Sequence, residues 1–242
     1  MSPSPFWRAL LDFFLPPKCP FCGADQEAPP DDRPCDACVS RMKFFSPPRC
    51  PRCGIGFTSP SETDHLCSEC LTKERYFAKA RSVCLYDGLI TELIARFKYG
   101  GATRLARPLG FLLAEYCDPE FLFSELELIL PVPLHPHRLR ERGFNQSLLL
   151  ARHLSRKHFL PLDFTALQRS RPTPPQTQLS GSERQANVQG AFEVGKPTAV
   201  AGKRILLIDD VFTTGATVRE CARVLLNAGA GQVDVLTLAR VP

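Results

Sequence analysis

The chain has 242 residues, of which 44% are hydrophobic and 23% charged, with a formal charge of +5. This is globular composition, which excludes a disordered chain or a fibrous repeat, and the length suits one α/β domain with a small module beside it. The positive surplus is compatible with phosphate-bearing ligands or nucleic acid and selects neither.

The opening stretch SPFWRALLDFFLPP is apolar but contains Arg8 and Asp12, and it lacks the basic start and small-residue cleavage site of a secretory signal. Its Phe6, Trp7, Phe13 and Phe14 read as the stripe of an amphipathic helix packed on its own domain; touching a membrane or partner is the other use of such a face. No run approaches the roughly 20 apolar residues needed to cross a bilayer. A cytoplasmic protein is expected, meeting a membrane only through a partner.

Eleven cysteines follow, and eight fall before residue 71 as four CxxC pairs: Cys19/Cys22, Cys35/Cys38, Cys50/Cys53 and Cys67/Cys70. Two thiolates separated by two residues grip one ion from a tight turn, so each pair supplies half a tetrahedral site. Sequential pairing gives two four-cysteine sites in a row; interleaved pairing is the alternative. Zinc is preferred to a disulfide framework because nothing marks the chain for export, and a redox CxxC needs only one pair. So small and turn-rich a module buries too little apolar surface to fold alone, and metal ligation would supply its folding free energy.

The opening helix and zinc module are expected over residues 1–75 and a second domain over 76–242. Within the module, Arg33, Arg41, Lys43, Arg49 and Arg52 lie near Phe44, Phe45 and Phe57. That mixture suits the backbone charge and base stacking of single-stranded DNA, and it equally suits ribbons packed against the larger domain. The remaining Cys84, Cys117 and Cys221 sit in apolar patterns and read as small core residues.

In the second domain, residues 80–88 read as a strand, and Leu89, Ile90, Leu93, Ile94 and Phe97 recur at helical spacing until KYGG at 98–101. A helix with Leu105, Leu109, Leu112, Leu113 and Tyr116 follows, then the strand-like run LILPVP and a strongly basic loop. Residues 145–158 are helical, 162–167 suggest a short strand, and the Pro-rich polar stretch from Arg169 to Gly190 reads as a mobile loop. Residues 203–210, 217–228 and 231–240 then form strand, helix and strand, a right-handed βαβ crossover. The fold class is α/β with a mainly parallel sheet.

Asp209 and Asp210 end a hydrophobic strand, and the chain turns at once into a helix, which is where open parallel sheets bind ligands. Gly215 and Ala216 let backbone come close, successive amides from Val211 and Phe212 onward can face one phosphate, and Thr213, Thr214 and Thr217 offer hydroxyls. A ribose 2′,3′ diol presents two O–H donors, for which ionised carboxylates are acceptor partners. The sequence holds no GxxxxGK[ST] and no GxGxxG after a strand, so an ordinary P-loop and a dinucleotide fold are disfavoured. Alone, a strand-end Asp pair followed by Thr is as often only a turn and helix cap.

The unbroken run from Ile208 to Thr217 resembles the phosphoribosyl-pyrophosphate signature of type I phosphoribosyltransferases, in which two acidic residues hold the ribose and the loop after them holds the 5′-phosphate. Upstream, LILPVPLHPHRLRERGFNQS and TPPQTQLSGSERQANVQGAF resemble the ComF family, competence-associated phosphoribosyltransferase-like proteins that begin with a cysteine-rich zinc module. The resemblance implies a type I phosphoribosyltransferase-like sheet flanked by helices, behind a double zinc ribbon. It also implies phosphoribosyl pyrophosphate and Mg²⁺ as ligands.

Phosphoribosyl transfer expels pyrophosphate through an oxocarbenium-like state, so the protein positions reactants and neutralises charge, and no protein nucleophile is needed. On that reading Arg142 is the leading cation for the pyrophosphate, with Arg138, Arg140, Asn145 and Gln146 as polar anchors; a solvated basic surface is the alternative. His135 and His137 lack a third ligand nearby and are assigned no metal. Arg171, Thr173, Gln176, Ser180, Glu183, Arg184 and Asn187 suit a lid that excludes water, or simply a long surface loop. Two functions compete: transfer of a phosphoribosyl group to a nitrogenous acceptor, and non-catalytic binding of single-stranded DNA or another competence protein through the ribbons during DNA uptake.

Overall fold

Strands β5 (Arg204–Phe212) and β6 (Gln232–Arg240) are apolar on both faces, which marks them as the centre of a sheet covered on both sides. The computed structural model describes residues 17–26, 33–57, 63–119, 121–172 and 186–242; the opening helix lies outside them. With β1 (Lys79–Leu85) and β2 (Leu128–Pro131) the central strands form an all-parallel sheet in the order β1-β6-β5-β2. Residues 162–167 are not the short strand expected. Leu162 makes one parallel bridge to Ile129, and β3 (Leu167–Arg169) pairs instead with β4 (Phe192–Val194) as a separate antiparallel pair.

On the short modules before the sheet, α1 (Asp36–Ser40) and α2 (Ser68–Thr72) begin immediately after Cys35 and Cys67, their N-caps. Helices α3 (Leu89–Tyr99), α4 (Ala106–Glu115) and α6 (Gln146–His158) cover one face of the sheet, packing Phe97, Leu109, Leu112 and Leu150 against Leu206, Ile208, Leu236 and Leu238. The other face receives α8 (Ala216–Asn227), whose Val218, Cys221 and Leu225 meet Ile205, Leu207, Val233 and Val235. Alternate residues of one strand therefore serve two cores, the period-two rule applied to both faces. Further short helices are α5 (Pro136–Arg142), where a basic loop was expected, and α7 (Pro197–Val200). The basic segment turns helical because Pro136 stands at its first turn, His135 Nδ1 accepts the His137 amide, and Gly143 closes it in the left-handed region at φ +80°.

Each cysteine module joins a different core. Cys19, Phe21, Cys38 and Met42 pack with the α3–α4–α6 face, whereas Cys50, Cys53, Cys70 and Phe77 pack with the α8 face. The connecting residues 43–45 run antiparallel along β1, where the Leu85 amide donates to Lys43 and the Phe45 amide to Val83. The two modules thus straddle an edge strand that would otherwise expose its amides.

One buried carboxylate ties these layers together. Asp118, just beyond α4, accepts from Arg81 of β1 at 2.5 Å and from Arg49 of the second module at 2.8 Å, and all three side chains are buried. Arg81 also donates to the Pro51 carbonyl at 3.0 Å. Asp118→Asn leaves two buried guanidinium groups without their anion, and a loss of about 3–5 kcal/mol is expected in urea unfolding. A loss below about 1 kcal/mol would show that the pair is solvated after all.

Candidate functional site

Asp209, partly buried, and Asp210, buried, stand near the carboxyl end of β5, where α6 and α3 supply their side-chain partners. The Asp209 carboxylate accepts from Ser147 Oγ of α6 at 3.0 Å and from the Asp210 amide at 2.9 Å. Asp210, 3% exposed, pairs through Oδ1 with Lys98 Nζ of α3 at 2.8 Å. Its second oxygen, Oδ2, is buried without a hydrogen-bond partner among the described residues. An unmatched acceptor next to a matched one is costly unless something else supplies a donor or a cation.

Charge is concentrated there. Burial, and then the neighbouring Asp210 charge, push the Asp209 carboxyl up to about 7, against which Lys98 and the two hydrogen bonds work. Burial opposes the charge on Lys98, but the carboxylates of Asp210 and Asp209 outweigh it and hold the ammonium above its ordinary value. Two acids and one base thus share a poorly solvated cleft.

Beyond the acids, β5 continues to Phe212, two residues further than its expected end, and α8 starts at Ala216. Val211 is still in the strand, and Thr213, Thr214 and Gly215 form the turn, with Thr214 Oγ1 accepting the Ala216 amide at 3.4 Å. Gly215 caps α8 with φ +74°, and a Cβ there would come within 2.5 Å of the Phe212 ring. Both the left-handed backbone and the missing space demand glycine. The amides of Ala216 and Thr217 open the helix, a terminus suited to an anion.

The basic residues reach this end of the sheet unequally. Arg142, the last residue of α5, stacks 5.4 Å over Tyr99, the neighbour of Lys98, and its buried Nη1 has no hydrogen-bond partner among the described residues. Arg138 pairs with Glu141 at 3.0 Å, and Arg140 is exposed. Asn145 is committed to the backbone: its Oδ1 accepts the Leu148 amide as N-cap of α6, and its Nδ2 donates to the Val132 carbonyl. Gln146 is buried with Oε1 unpartnered among the described residues.

Three contributors escaped the sequence reading: Lys98, Ser147 and Arg169. Arg169, on β3, lies 5.2 Å over Phe192; burial lowers the stability of its charge, while Asp209 supports it. From sequence the KYGG stretch marks a helix stop, and a lysine in the last turn of a helix leading toward a strand end is the signal that points to Lys98. Of the expected lid, Arg171 donates to the carbonyls of Asn187 and Gln189, joining the ends of segment 173–185; Thr173, Gln176, Ser180, Glu183 and Arg184 lie outside the described residues. Burial raises the thiols of Cys84, to about 12, and of Cys117 and Cys221, so none of the three is a poised nucleophile.

The eight early cysteines pair sequentially. Cys19, Cys22, Cys35 and Cys38 bring their sulfurs within 4.8 Å of one another, as do Cys50, Cys53, Cys67 and Cys70. Four sulfurs each about 2.3 Å from a tetrahedral ion stand about 3.8 Å apart. The closest pairs match: Cys19 to Cys38 at 3.8 Å, Cys22 to Cys35 at 3.7 Å and Cys53 to Cys67 at 3.7 Å. Each site combines one knuckle with the first turn of one short helix. In the second knuckle Gly54, at φ +72°, approaches the Ala80 carbonyl so closely that a Cβ would sit 2.7 Å from it. The ribbon aromatics are used in packing: Phe44 stacks on Tyr116 at 4.9 Å and Phe57 on His65 at 3.9 Å.

Comparison with known proteins agrees with both halves. Residues 10–71 match the model of the double zinc ribbon domain, and residues 145–242 that of the phosphoribosyl transferase domain. DNA utilization protein YhgH of Escherichia coli K12 is 36% identical over 185 residues, covering 75% of this chain and 81% of its own. Competence protein F of Haemophilus influenzae is 33% identical over 178 residues, covering 72% and 78% respectively. Competence protein ComFC of Bacillus subtilis is 31% identical over 223 residues, covering 87% and 85%. Among the described residues, no helix is long and apolar enough to cross a membrane.

Because the folded state holds the Asp209 proton more tightly than the unfolded chain, this group costs stability as pH rises from 3.8, its ordinary value, to about 7. Asp209→Asn keeps the oxygen that Ser147 and the Asp210 amide use and removes the charge. Its gain in Tm over wild type is expected to grow across that window and level off above it, reaching a few degrees. A Tm difference that does not change between pH 4 and pH 8 would refute the raised acidity.

Proposed function

The chain belongs to the ComF family of competence proteins, and from that membership we propose that it binds phosphoribosyl pyrophosphate with Mg²⁺ at Asp209–Thr217 and serves natural competence and DNA uptake. The observation that carries the ligand reading is the buried, unpartnered Oδ2 of Asp210 beside a second carboxylate at the mouth of a glycine-capped helix. Two acceptors suit the paired hydroxyls of a ribose, and the amides at the start of α8 suit its 5′-phosphate. The hard carboxylate oxygens of Asp209 and Asp210 also suit Mg²⁺, which when bound would offset the charge of pyrophosphate.

The chain's own cations divide the remaining work. Lys98 neutralises Asp210 in the free protein and on this reading would turn to a pyrophosphate oxygen once the ribose hydroxyls take over that carboxylate. Arg142, anchored on Tyr99, and Arg169, anchored on Phe192, are the further cations with fixed planes that such a ligand would use. Transfer to a nitrogenous acceptor then requires alignment of the acceptor with the anomeric carbon and exclusion of water; near the site, Arg171 donates to the carbonyls of Asn187 and Gln189, and Glu220 accepts the Gly190 amide at 2.7 Å. The reading of the ribbons as a DNA-stacking surface draws less support, because Phe44, Phe57 and Arg49 are engaged within the chain.

Isothermal titration of zinc-loaded protein with phosphoribosyl pyrophosphate and Mg²⁺ tests the proposal. Saturable binding is expected in the wild type and its loss in the double variant Asp209→Asn/Asp210→Asn. Lys98→Met is expected to weaken phosphoribosyl pyrophosphate about tenfold, a change of roughly 1.4 kcal/mol, and ribose 5-phosphate much less. Absence of binding by well-folded wild type would reject the ligand.

A further inference from the structure

The ligand loop and the second four-cysteine site are joined by two side chains that the binding reading does not use. Arg240, the last residue of β6, is 5% exposed. It donates from Nη1 to the Cys53 carbonyl at 2.8 Å and lays its guanidinium 4.3 Å over the Phe212 ring. Phe212 closes β5, meets Phe77 edge-on at 6.2 Å, and its ring tip fills the space a Cβ at Gly215 would need. The path runs from metal ligand to arginine to ring to helix cap without a gap.

Packing alone does not explain an arginine here, since burying a guanidinium costs several kcal/mol unless charge and hydrogen bonds offset it, and leucine or methionine would cover the ring. The surroundings that make the charge tolerable come from the metal site. Four cysteine thiolates around a divalent ion carry a net charge of about −2, and Arg240 faces them from the Cys53 side, with Arg75, 4% exposed, close to Cys70. The knuckle is built around the Cys50 sulfur and carbonyl, to which the Cys53 amide at 3.5 Å and the Gly54 amide at 2.9 Å point, and an ion held by the four thiolates would add to its closure. The first site differs, because Cys19 and Cys38 pack with the opposite face, against α3, α4 and α6.

We propose that zinc in the second site governs the order of the ligand loop through Arg240 and Phe212. The bound ion fixes the Cys53 carbonyl, the carbonyl aims Arg240, Arg240 presses on Phe212, and Phe212 holds the Gly215 turn where the α8 amides begin. Arg240 and Phe212 are positioning residues for that loop, whichever ligand the loop takes. The inference is therefore separable from the phosphoribosyl pyrophosphate reading.

Hydrogen exchange read by mass spectrometry on the full, zinc-loaded, ligand-free chain tests it, with bound zinc counted in the same samples. Arg240→Met is expected to keep two zinc ions per chain, one for each cysteine cluster, and to speed exchange of the Val211–Thr217 amides about tenfold, leaving α3 and α4 amides unchanged. Arg240→Lys keeps the charge and the apolar stem without the flat fork, and a smaller rise of the same sign is expected, which covers a failure of the methionine variant to fold. Withdrawing zinc from the wild type with a chelator is expected to speed the same amides, and to add little in Arg240→Met, where the connection is already cut. Three results would overturn the proposal: loop exchange unchanged in a variant that retains its zinc, acceleration spread evenly through α3 and α4, or an undiminished zinc effect in Arg240→Met.

Discussion

Two carboxylates in succession on a buried strand repel each other, and the parts of this fold around the cleft answer that repulsion. Asp210 is neutralised by Lys98 from α3, Asp209 accepts from Ser147 and a backbone amide, and burial, followed by the Asp210 charge, raises Asp209 to about 7. A chain selected for stability alone would not place two adjacent acids, one of them buried, at the end of a central strand. The concession is understandable at a ligand site, where donors and a cation arriving with the ligand would satisfy what the free protein leaves open.

Holding such a pair in place demands a rigid sheet, and the cysteine modules contribute to that rigidity in two ways. They cover the β1 edge, with residues 43–45 hydrogen-bonded alongside it, and each adds its cysteines to one of the two cores. The Arg49–Asp118–Arg81 cluster then connects the second module, β1 and the end of α4 through one buried oxygen. The ribbons of this family member are thus built into the body of the phosphoribosyltransferase domain. Of their basic and aromatic residues, Arg49, Phe44 and Phe57 are taken up by contacts within the chain, whereas Arg33, Arg41, Lys43 and Arg52 are exposed.

What could be read from the sequence follows from the range of the interactions involved. The β5–α8–β6 unit was legible because a continuous apolar strand, a glycine turn and an amphipathic helix are local patterns, and the cysteine pairs because ligand spacing is local too. Their sequential partnership needed the fold, since thirteen residues of connection close a site as readily in one arrangement as the other. Lys98 was hidden for the same reason: it lies 112 positions before Asp210 in the numbering, and only the packing of α3 on the sheet brings them together. Asn145 illustrates the converse, a polar residue in a polar motif whose amide group serves the backbone of α6 and β2. The basic stretch around Arg138–Arg142 looked like a loop because charge conceals helical periodicity; the proline at its start and the glycine at its end were the better guide.

The central claim is that the Asp209–Asp210 pair is held in a strained charge state that a sugar-phosphate ligand relieves. Carboxyl-carbon NMR of Asp-labelled protein, titrated in pH with and without saturating phosphoribosyl pyrophosphate and Mg²⁺, tests it most directly. One carboxyl signal, absent from Asp209→Asn, is expected to titrate near 7 in the free protein and to fall well below that value in the complex, as hydrogen-bond donors and Mg²⁺ stabilise the anion. If every aspartate titrates in its ordinary range in the free protein, or if the raised carboxyl is unmoved by saturating ligand, the account is contradicted.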